Sequence, residues 1–309
     1  MFFSIKPLNN IALDMEFKKL LITGCSGFLG WNISTINSDK FFITGIYNSS
    51  FIRIPNIKCV KCDLTDFQCL KEIFYSFEPD AVIHAAAISD SDFCQVNRSY
   101  SYKTNVTATA NIAGLCADFG IPFCFISTDL VFDGWSPPYK ETDSVSPVNI
   151  YGEQKVAAED IIAETLDSYA VCRLPLMFGN APDCAKSFIQ PLLKKLRNKE
   201  KVKLFVDEFR TPVSASDAAQ GILMALRRLP GIVHLGGKEM FSRYEFGLKL
   251  ADITQFDRSL IVPSYQNEIS LPAPRPKNVC LDSTKAFALG FKPELIDKAL
   301  SKINFSGII

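Results

Sequence analysis

The 309-residue chain has only two histidines and two tryptophans, and its 33 basic and 33 acidic side chains cancel. A zero balance removes any whole-surface attraction to nucleic acid or to acidic lipid, while leaving room for a local basic pocket. No apolar run approaches the roughly 20 residues that a membrane-spanning helix needs, so no membrane partner is expected. Met1–Asn10 holds Phe2 and Phe3 but no sustained apolar core, and a secretory leader is not expected. Met15-Glu16-Phe17-Lys18-Lys19 reads as a natural start, with residues 1–14 a loose extension. Internal repeats and low-complexity tracts are absent, which excludes solenoids. His84 and His234 each close an apolar run without acidic neighbours, which makes them structural rather than metal-binding.

What the chain does carry is ten cysteines, in an ordinary globular mix of 48% hydrophobic and 21% charged residues. Without a leader they read as reduced, mostly buried thiols of a cytoplasmic protein. Cys59 and Cys62 form a C-x-x-C, a spacing used for zinc or redox chemistry. No second pair follows at zinc spacing and the motif lies in the strand-like run Ile57–Leu64, so no metal is assigned.

From Lys18 onward, short apolar runs alternate with longer amphipathic stretches, the rhythm of a parallel sheet flanked by helices. Strands are expected at Lys18–Thr23, Phe41–Ile46, Lys58–Cys62, Ala81–His84, Phe123–Ser127, Ala170–Leu174 and Val233–Leu235. Helices are expected near Leu29–Asn37, Asp66–Ser76, Tyr100–Phe119 and Ile150–Leu166. After Leu174 the rhythm breaks into segments rich in proline and phenylalanine. The fold class is α/β: a Rossmann-type doubly wound parallel sheet with a smaller C-terminal α/β substrate domain. Residues 16–175 with about 208–237 would form the dinucleotide-binding domain, and about 176–207 with 238–309 the substrate-binding domain.

The first strand runs into Thr23-Gly24-Cys25-Ser26-Gly27-Phe28-Leu29-Gly30. Glycines at these positions let the chain turn, approach a pyrophosphate and pack helix on strand. The helix that opens there aims its free N–H groups and positive dipole end at phosphate. Gly24, Ser26, Gly27, Phe28, Leu29 and Gly30 are therefore cofactor-binding candidates. The second strand ends in Tyr47-Asn48-Ser49-Ser50 with Arg53 beyond, where a carboxylate would select the ribose hydroxyls of NAD. Without that carboxylate, Asn48, Ser49 and Arg53 can accept a 2′-phosphate, so NADP(H) is favoured over NAD(H).

Tyr151 and Lys155 form Y-x-x-x-K at the start of a helix, on one helical face. An adjacent ammonium favours phenolate and is expected to lower the tyrosine pKa from about 10 toward a working acid/base range. Thr128, 23 residues before Tyr151, follows the fifth strand, and open α/β sheets put their sites at such carboxyl ends. Its hydroxyl can hold a substrate carbonyl against Tyr151.

The T-G-x-x-G-x-x-G loop and Y-x-x-x-K resemble the extended short-chain dehydrogenase/reductases. The resemblance implies that Asp63-Leu64 contacts adenine and that Ala85-Ala86-Ala87 lies under the cofactor ribose. Tyr151 and Lys155 would touch the cofactor as well, and Asn105 would join them and Thr128 by organising a proton relay to the lysine.

Ser127-Thr128-Asp129-Leu130-Val131-Phe132-Asp133-Gly134 and Pro147–Lys155 are closer still to the dTDP-4-dehydrorhamnose reductase family. The likeness continues through Arg173, Arg210-Thr211-Pro212 and Ala273–Asn278. It implies hydride transfer to a nucleotide-linked 4-keto-6-deoxysugar, with Tyr151 protonating the alkoxide, Lys155 tuning it and Thr128 binding the carbonyl oxygen. Asp129, Leu130 and Leu176 would face the sugar, and Arg210 and Arg275 would take its pyrophosphate bidentately. Leu130 and Leu176 stand where that family carries aromatic residues, which leaves the sugar open. Leu130 in place of a dehydratase glutamate speaks against 4,6-dehydration. A nucleotide-sugar epimerase or another carbonyl reductase shares the same residues. So does a non-catalytic NADP-binding regulatory subunit resembling that of methionine adenosyltransferase. A homodimer is compatible with each reading.

Overall fold

The computed structural model describes residues 16–305, so the expectations for Met1–Asn10, the extension 1–14 and a start at Met15 lie outside the described residues. Seven strands form one sheet: β1 (Lys19–Thr23), β2 (Phe42–Tyr47), β3 (Lys58–Lys61), β4 (Ala81–His84), β5 (Phe123–Thr128), β6 (Tyr169–Leu174) and β7 (Gly231–His234). All pairings are parallel, in the order β3-β2-β1-β4-β5-β6-β7. The strands β4 and β5 are buried at every position, as expected where helices cover both faces of a parallel sheet.

One face is covered by α1 (Phe28–Asn37) and α6 (Ala215–Arg228), which bring Leu29, Ile33, Ala218 and Ile222 onto Leu20, Ile22 and Cys172. The other is covered by α2 (Phe67–Phe77), α3 (Ala108–Phe119) and α4 (Ile150–Thr165), through Leu70, Phe74, Ile112 and Ile162. The sheet is thus doubly wound, and its strand order reverses between β1 and β4. A crevice opens at the carboxyl ends of the strands on either side of such a switch.

One expected helix is not continuous. Tyr100–Phe119 is interrupted by a π-helical turn at Lys103–Thr107, preceded by short helices Ser91–Val96 and Arg98–Tyr102. No periodic signal marks an inserted residue of this kind, and such turns recur at functional sites. This one carries Asn105.

Between β6 and α6, and again after β7, the chain builds a second core. It joins α5 (Ile189–Arg197), α7 (Arg243–Thr254) and the parallel pair Val202–Phe205 with Ile261–Ser264. Ile189, Leu193, Phe246, Leu250 and Leu300 fill it.

Candidate active site

Two adjoining cavities lie along the crevice. The first, about 400 Å³, is lined by Gly24, Ser26, Asn48, Ser49, Asp63, Leu64, Ala86 and the aromatic pair Phe93 and Tyr100. The second, about 350 Å³, is lined by Phe28, Leu29, Gly30, Thr128, Leu130, Tyr151, Lys155 and Leu176. Gly27, Ala85 and Ala87 line both, so the two are halves of one groove. Arg53 is exposed and is not part of this wall. Asp63 lines the groove and also closes a turn, accepting hydrogen bonds from Thr65 N (2.9 Å) and Thr65 Oγ1 (2.8 Å).

The residues fit an extended dinucleotide because the glycine loop lines the groove and is held by backbone contacts too close for side chains. A Cβ on Gly30 would lie 2.2 Å from the Gly24 carbonyl oxygen. Gly30→Ala is therefore expected to push the loop away from α1. Stability should fall by about 1–3 kcal/mol, as for an overpacked core, and dinucleotide affinity should fall with it. Thermal melts and a fluorescence titration check both; wild-type affinity in the variant would contradict the cradle.

At the other end, β5 delivers Ser127 and Thr128, and α4 delivers Tyr151 and Lys155. Asn149 caps α4, its side chain accepting from Gly152 N (3.0 Å) while its Nδ2 donates to Pro274 O (3.1 Å). A Cβ on Gly152 would stand 2.3 Å from the Leu130 carbonyl oxygen, so only glycine lets α4 press on the turn after Thr128. Thr128 Oγ1 accepts from Leu130 N and donates to Asp129 Oδ1, both at 3.2 Å.

The acid/base electrostatics differ from the sequence expectation. Burial raises the Tyr151 phenol above its ordinary value, with Cys94 and Asp129 adding to the effect. Burial also pushes the Lys155 ammonium down to about 7, against the opposing pull of Glu159 and Cys94. Lys155 Nζ donates to Ile126 O at 2.7 Å, lies 4.3 Å from the Phe125 ring centroid and stands 5.9 Å from that of Tyr151. Desolvation outweighs the cation here, so the phenol stays protonated at neutral pH. A protonated phenol is a proton donor.

Asn105 holds other groups rather than the lysine. Its Oδ1 accepts from Ile88 N (2.8 Å), and its Nδ2 donates to Ile88 O (3.0 Å) and Gln154 Oε1 (2.9 Å). It thereby joins the loop after β4 to the helix that carries Tyr151 and Lys155.

Arg210 and Arg275 line the second cavity, but each is already ion-paired. Arg210 is buried, with Nε 3.2 Å from Asp129 Oδ2 and an Nη 3.3 Å from Glu208 Oε1. Arg243 Nε donates to Glu208 Oε1 at 2.8 Å. Burial raises Asp129 to about 6 against Arg210 and Arg243. Burial also raises Glu208, but Arg243 and Arg210 outweigh it and bring that carboxyl down to about 2. Arg275 donates to Asp92 Oδ2 at 2.9 Å, and its buried Nε has no hydrogen-bond partner. Lys186, Glu208 and Arg243 also line the cavity, and sequence reasoning missed them. The Glu-Phe-Arg spacing at 208–210 could have revealed Glu208, since alternate residues of a strand share a face. Lys186 and Arg243 carry no local signal.

The C-x-x-C is split by strand parity, because residues three apart point to opposite faces. Cys59 interacts with Cys25 on one side of the sheet, and Cys62 with Cys69 on the other. Seven of the ten cysteines, including Cys62 but not Cys59, are buried, and all ten are free.

Residues 18–304 match the family model described as RmlD substrate binding domain. The chain is 30% identical over 268 residues to the probable low-salt glycan biosynthesis reductase Agl14 of Haloferax volcanii, covering 84% of this chain and 88% of that protein. It is 29% identical over 281 residues to methionine adenosyltransferase 2 subunit beta of Xenopus laevis, covering 88% and 83%. The crystal structure of a dTDP-4-dehydrorhamnose reductase from Clostridium acetobutylicum superposes with a TM-score of 0.81 at 25% identity, covering 92% of this chain and 97% of that one.

Proposed function

The chain belongs to the RmlD substrate binding domain family, and we propose that it is a nicotinamide-dependent reductase of a nucleotide-linked 4-keto-6-deoxysugar. The observation that carries this reading is the meeting of Thr128, Tyr151 and Lys155 at one end of a groove whose other end is a glycine cradle. The nicotinamide supplies a hydride when bound. Tyr151, kept protonated by burial, gives its proton to the new alkoxide oxygen. Lys155 orients the cofactor ribose and replenishes that proton. Thr128 turns its hydroxyl from Asp129 toward the substrate carbonyl, and Asp129 meets a sugar hydroxyl. Leu130 and Leu176 offer an apolar surface suited to a deoxygenated carbon. Asn105 acts by positioning rather than by touching the reacting atoms.

The second core, with the chain about 176–207 and 238–309, is assigned as the substrate-binding domain. Lys186 and Arg243 join Arg275 as cations facing the substrate's diphosphate, with Lys186 the exposed member of the set, while Arg210 stays held by Asp129 and Glu208.

NADPH is the preferred cofactor, since Asn48 and Ser49 line the adenosine half of the groove in place of a carboxylate. With dTDP-4-keto-6-deoxysugars generated in the cuvette, NADPH oxidation is expected, with kcat/KM at least tenfold above that with NADH, a gap of about 1.4 kcal/mol. Equal use of the two would remove the cofactor assignment alone. The likeness to a methionine adenosyltransferase subunit supports one other reading, a cofactor-binding regulatory subunit. Tight NADPH binding without turnover on any sugar nucleotide, together with a stoichiometric complex with such a synthetase, would replace the reductase by that reading.

A further inference from the structure

His84 is buried at the carboxyl end of β4, directly beneath the Ala85–Ala87 turn that both halves of the groove share. Both of its ring nitrogens have partners. Nδ1 lies 2.6 Å from Thr23 Oγ1, and Nε2 lies 3.0 Å from Thr109 Oγ1. The outer bonds fix which atom donates, because a hydroxyl has a single proton. Thr109 Oγ1 donates to the Asn105 carbonyl oxygen at 2.8 Å, so it must accept from His84 Nε2–H. A neutral ring then has a bare Nδ1, which accepts the Thr23 proton. Thr23 Oγ1 in turn accepts from Ala86 N–H at 3.2 Å. The bonds run head to tail, from Ala86 through Thr23, His84 and Thr109 to Asn105.

We propose that His84 is a positioning residue, held as the neutral Nε2–H tautomer, which locks the cofactor floor to the helix of Tyr151 and Lys155. The turn after β4 is pinned at Ala86 by Thr23, the last residue before the glycine loop, and at Ile88 by Asn105. Asn105 also grips Gln154, whose Nε2 donates to Ser101 Oγ at 2.8 Å. His84 is the bridge between the two pins, so the glycine loop, the floor and the catalytic helix share one buried network. A charged ring would carry a proton on Nδ1 and leave the Thr23 hydroxyl proton without its acceptor. Burial, with the nearby Lys155 ammonium, also disfavours the charged ring. The Phe123 and Phe125 rings flank it, at centroid distances of 6.2 and 5.7 Å.

His234, the other histidine, has the opposite arrangement. Its Nδ1 lies 3.1 Å from the Tyr139 carbonyl oxygen, which can only accept, and its Nε2 lies 3.4 Å from an Arg173 Nη, which can only donate. The two histidines are therefore of opposite tautomer.

Long-range ¹⁵N–¹H correlation spectra of the ¹⁵N-histidine-labelled full chain test this without reference to turnover. Between about pH 5.5 and 8.5, a window straddling the ordinary histidine pKa, His84 should show a protonated Nε2 and a bare Nδ1. His234 should show the reverse, with assignment by His84→Gln. An Nδ1–H tautomer at His84, or its titration in that window, overturns the proposal. The kinetic arm rests on the reductase reading. His84→Phe keeps the ring shape and should lower kcat about tenfold, the loss of a buried hydrogen-bond bridge, with a smaller change in the sugar KM. His84→Gln, which keeps an acceptor and a donor, should recover part of it. Should His84→Phe fail to fold, Thr109→Val removes the acceptor of Nε2–H and should lower kcat in the same way. An unchanged kcat in a folded His84→Phe or Thr109→Val overturns the positioning role. Wild-type inactivity on every sugar nucleotide would instead sink the reductase reading, leaving the spectra to decide on His84.

Discussion

Replacing Tyr151 by phenylalanine is expected to lower kcat by about 10²- to 10⁴-fold, the usual worth of a positioned general acid, while dinucleotide affinity stays nearly intact. The substitution removes one hydroxyl and keeps the ring, which packs with Cys94 and Ile150. The glycine cradle and the Ala85–Ala87 floor are untouched, so cofactor binding has no reason to weaken. Burial raises the phenol above its ordinary value, so in the wild-type enzyme the donor is fully protonated at neutral pH. Titration of the phenol should therefore contribute no pH dependence to the loss across the neutral range. Steady-state rates and a fluorescence titration on the same preparation separate the two effects. A Tyr151→Phe enzyme with near-normal kcat would mean that another group delivers the proton, and Thr128 would be the next candidate.

The glycine loop and the Tyr151–Lys155 pair could be read from the sequence because each is a local arrangement. Three glycines running from the end of a strand into the first turn of a helix, or two side chains four apart on one helix, carry their geometry within a few residues. The sheet was legible for a similar reason, since each buried parallel strand is a short apolar run that needs no partner to be recognised. What stayed hidden is built from distant segments. Arg210 reads as a free phosphate ligand until Asp129, after β5, and Glu208 are seen to hold it. Arg275 reads the same way until Asp92, from the short helix Ser91–Val96, is seen to hold it. The direction of the Tyr151 shift was missed because proximity to a lysine is visible in sequence, whereas the burial that outweighs it is a tertiary quantity. The π-helical turn at Lys103–Thr107 has no sequence period of its own, and the partners of Asn105 depend on it.

Behind Tyr151 and Lys155, Glu159 joins three elements, and Glu159→Gln should show how strongly. Glu159 Oε1 accepts from Arg173 Nε (3.1 Å) and from Ser127 Oγ, and its Oε2 accepts from an Arg173 Nη (2.6 Å). Both partners of the ion pair are almost fully buried, with side-chain exposures of 3% and 6%. Glutamine keeps the shape and an acceptor for Ser127 but leaves the Arg173 cation uncompensated, which costs about 3–5 kcal/mol in such sites. Urea unfolding should report that loss. Adding Arg173→Met removes the stranded charge, so the double variant should be more stable than Glu159→Gln alone. A double variant less stable than the single one would show that packing by Arg173 against Phe132, 5.2 Å from the ring centroid, matters more than its charge. The same glutamate opposes the burial that brings Lys155 down to about 7. Removing its charge lowers that value further, so the ammonium is lost at lower pH as pH rises. If the cationic lysine is the form that works, the alkaline fall in kcat must move toward acid in Glu159→Gln. An alkaline limb that does not move would mean that a group other than Lys155 sets it.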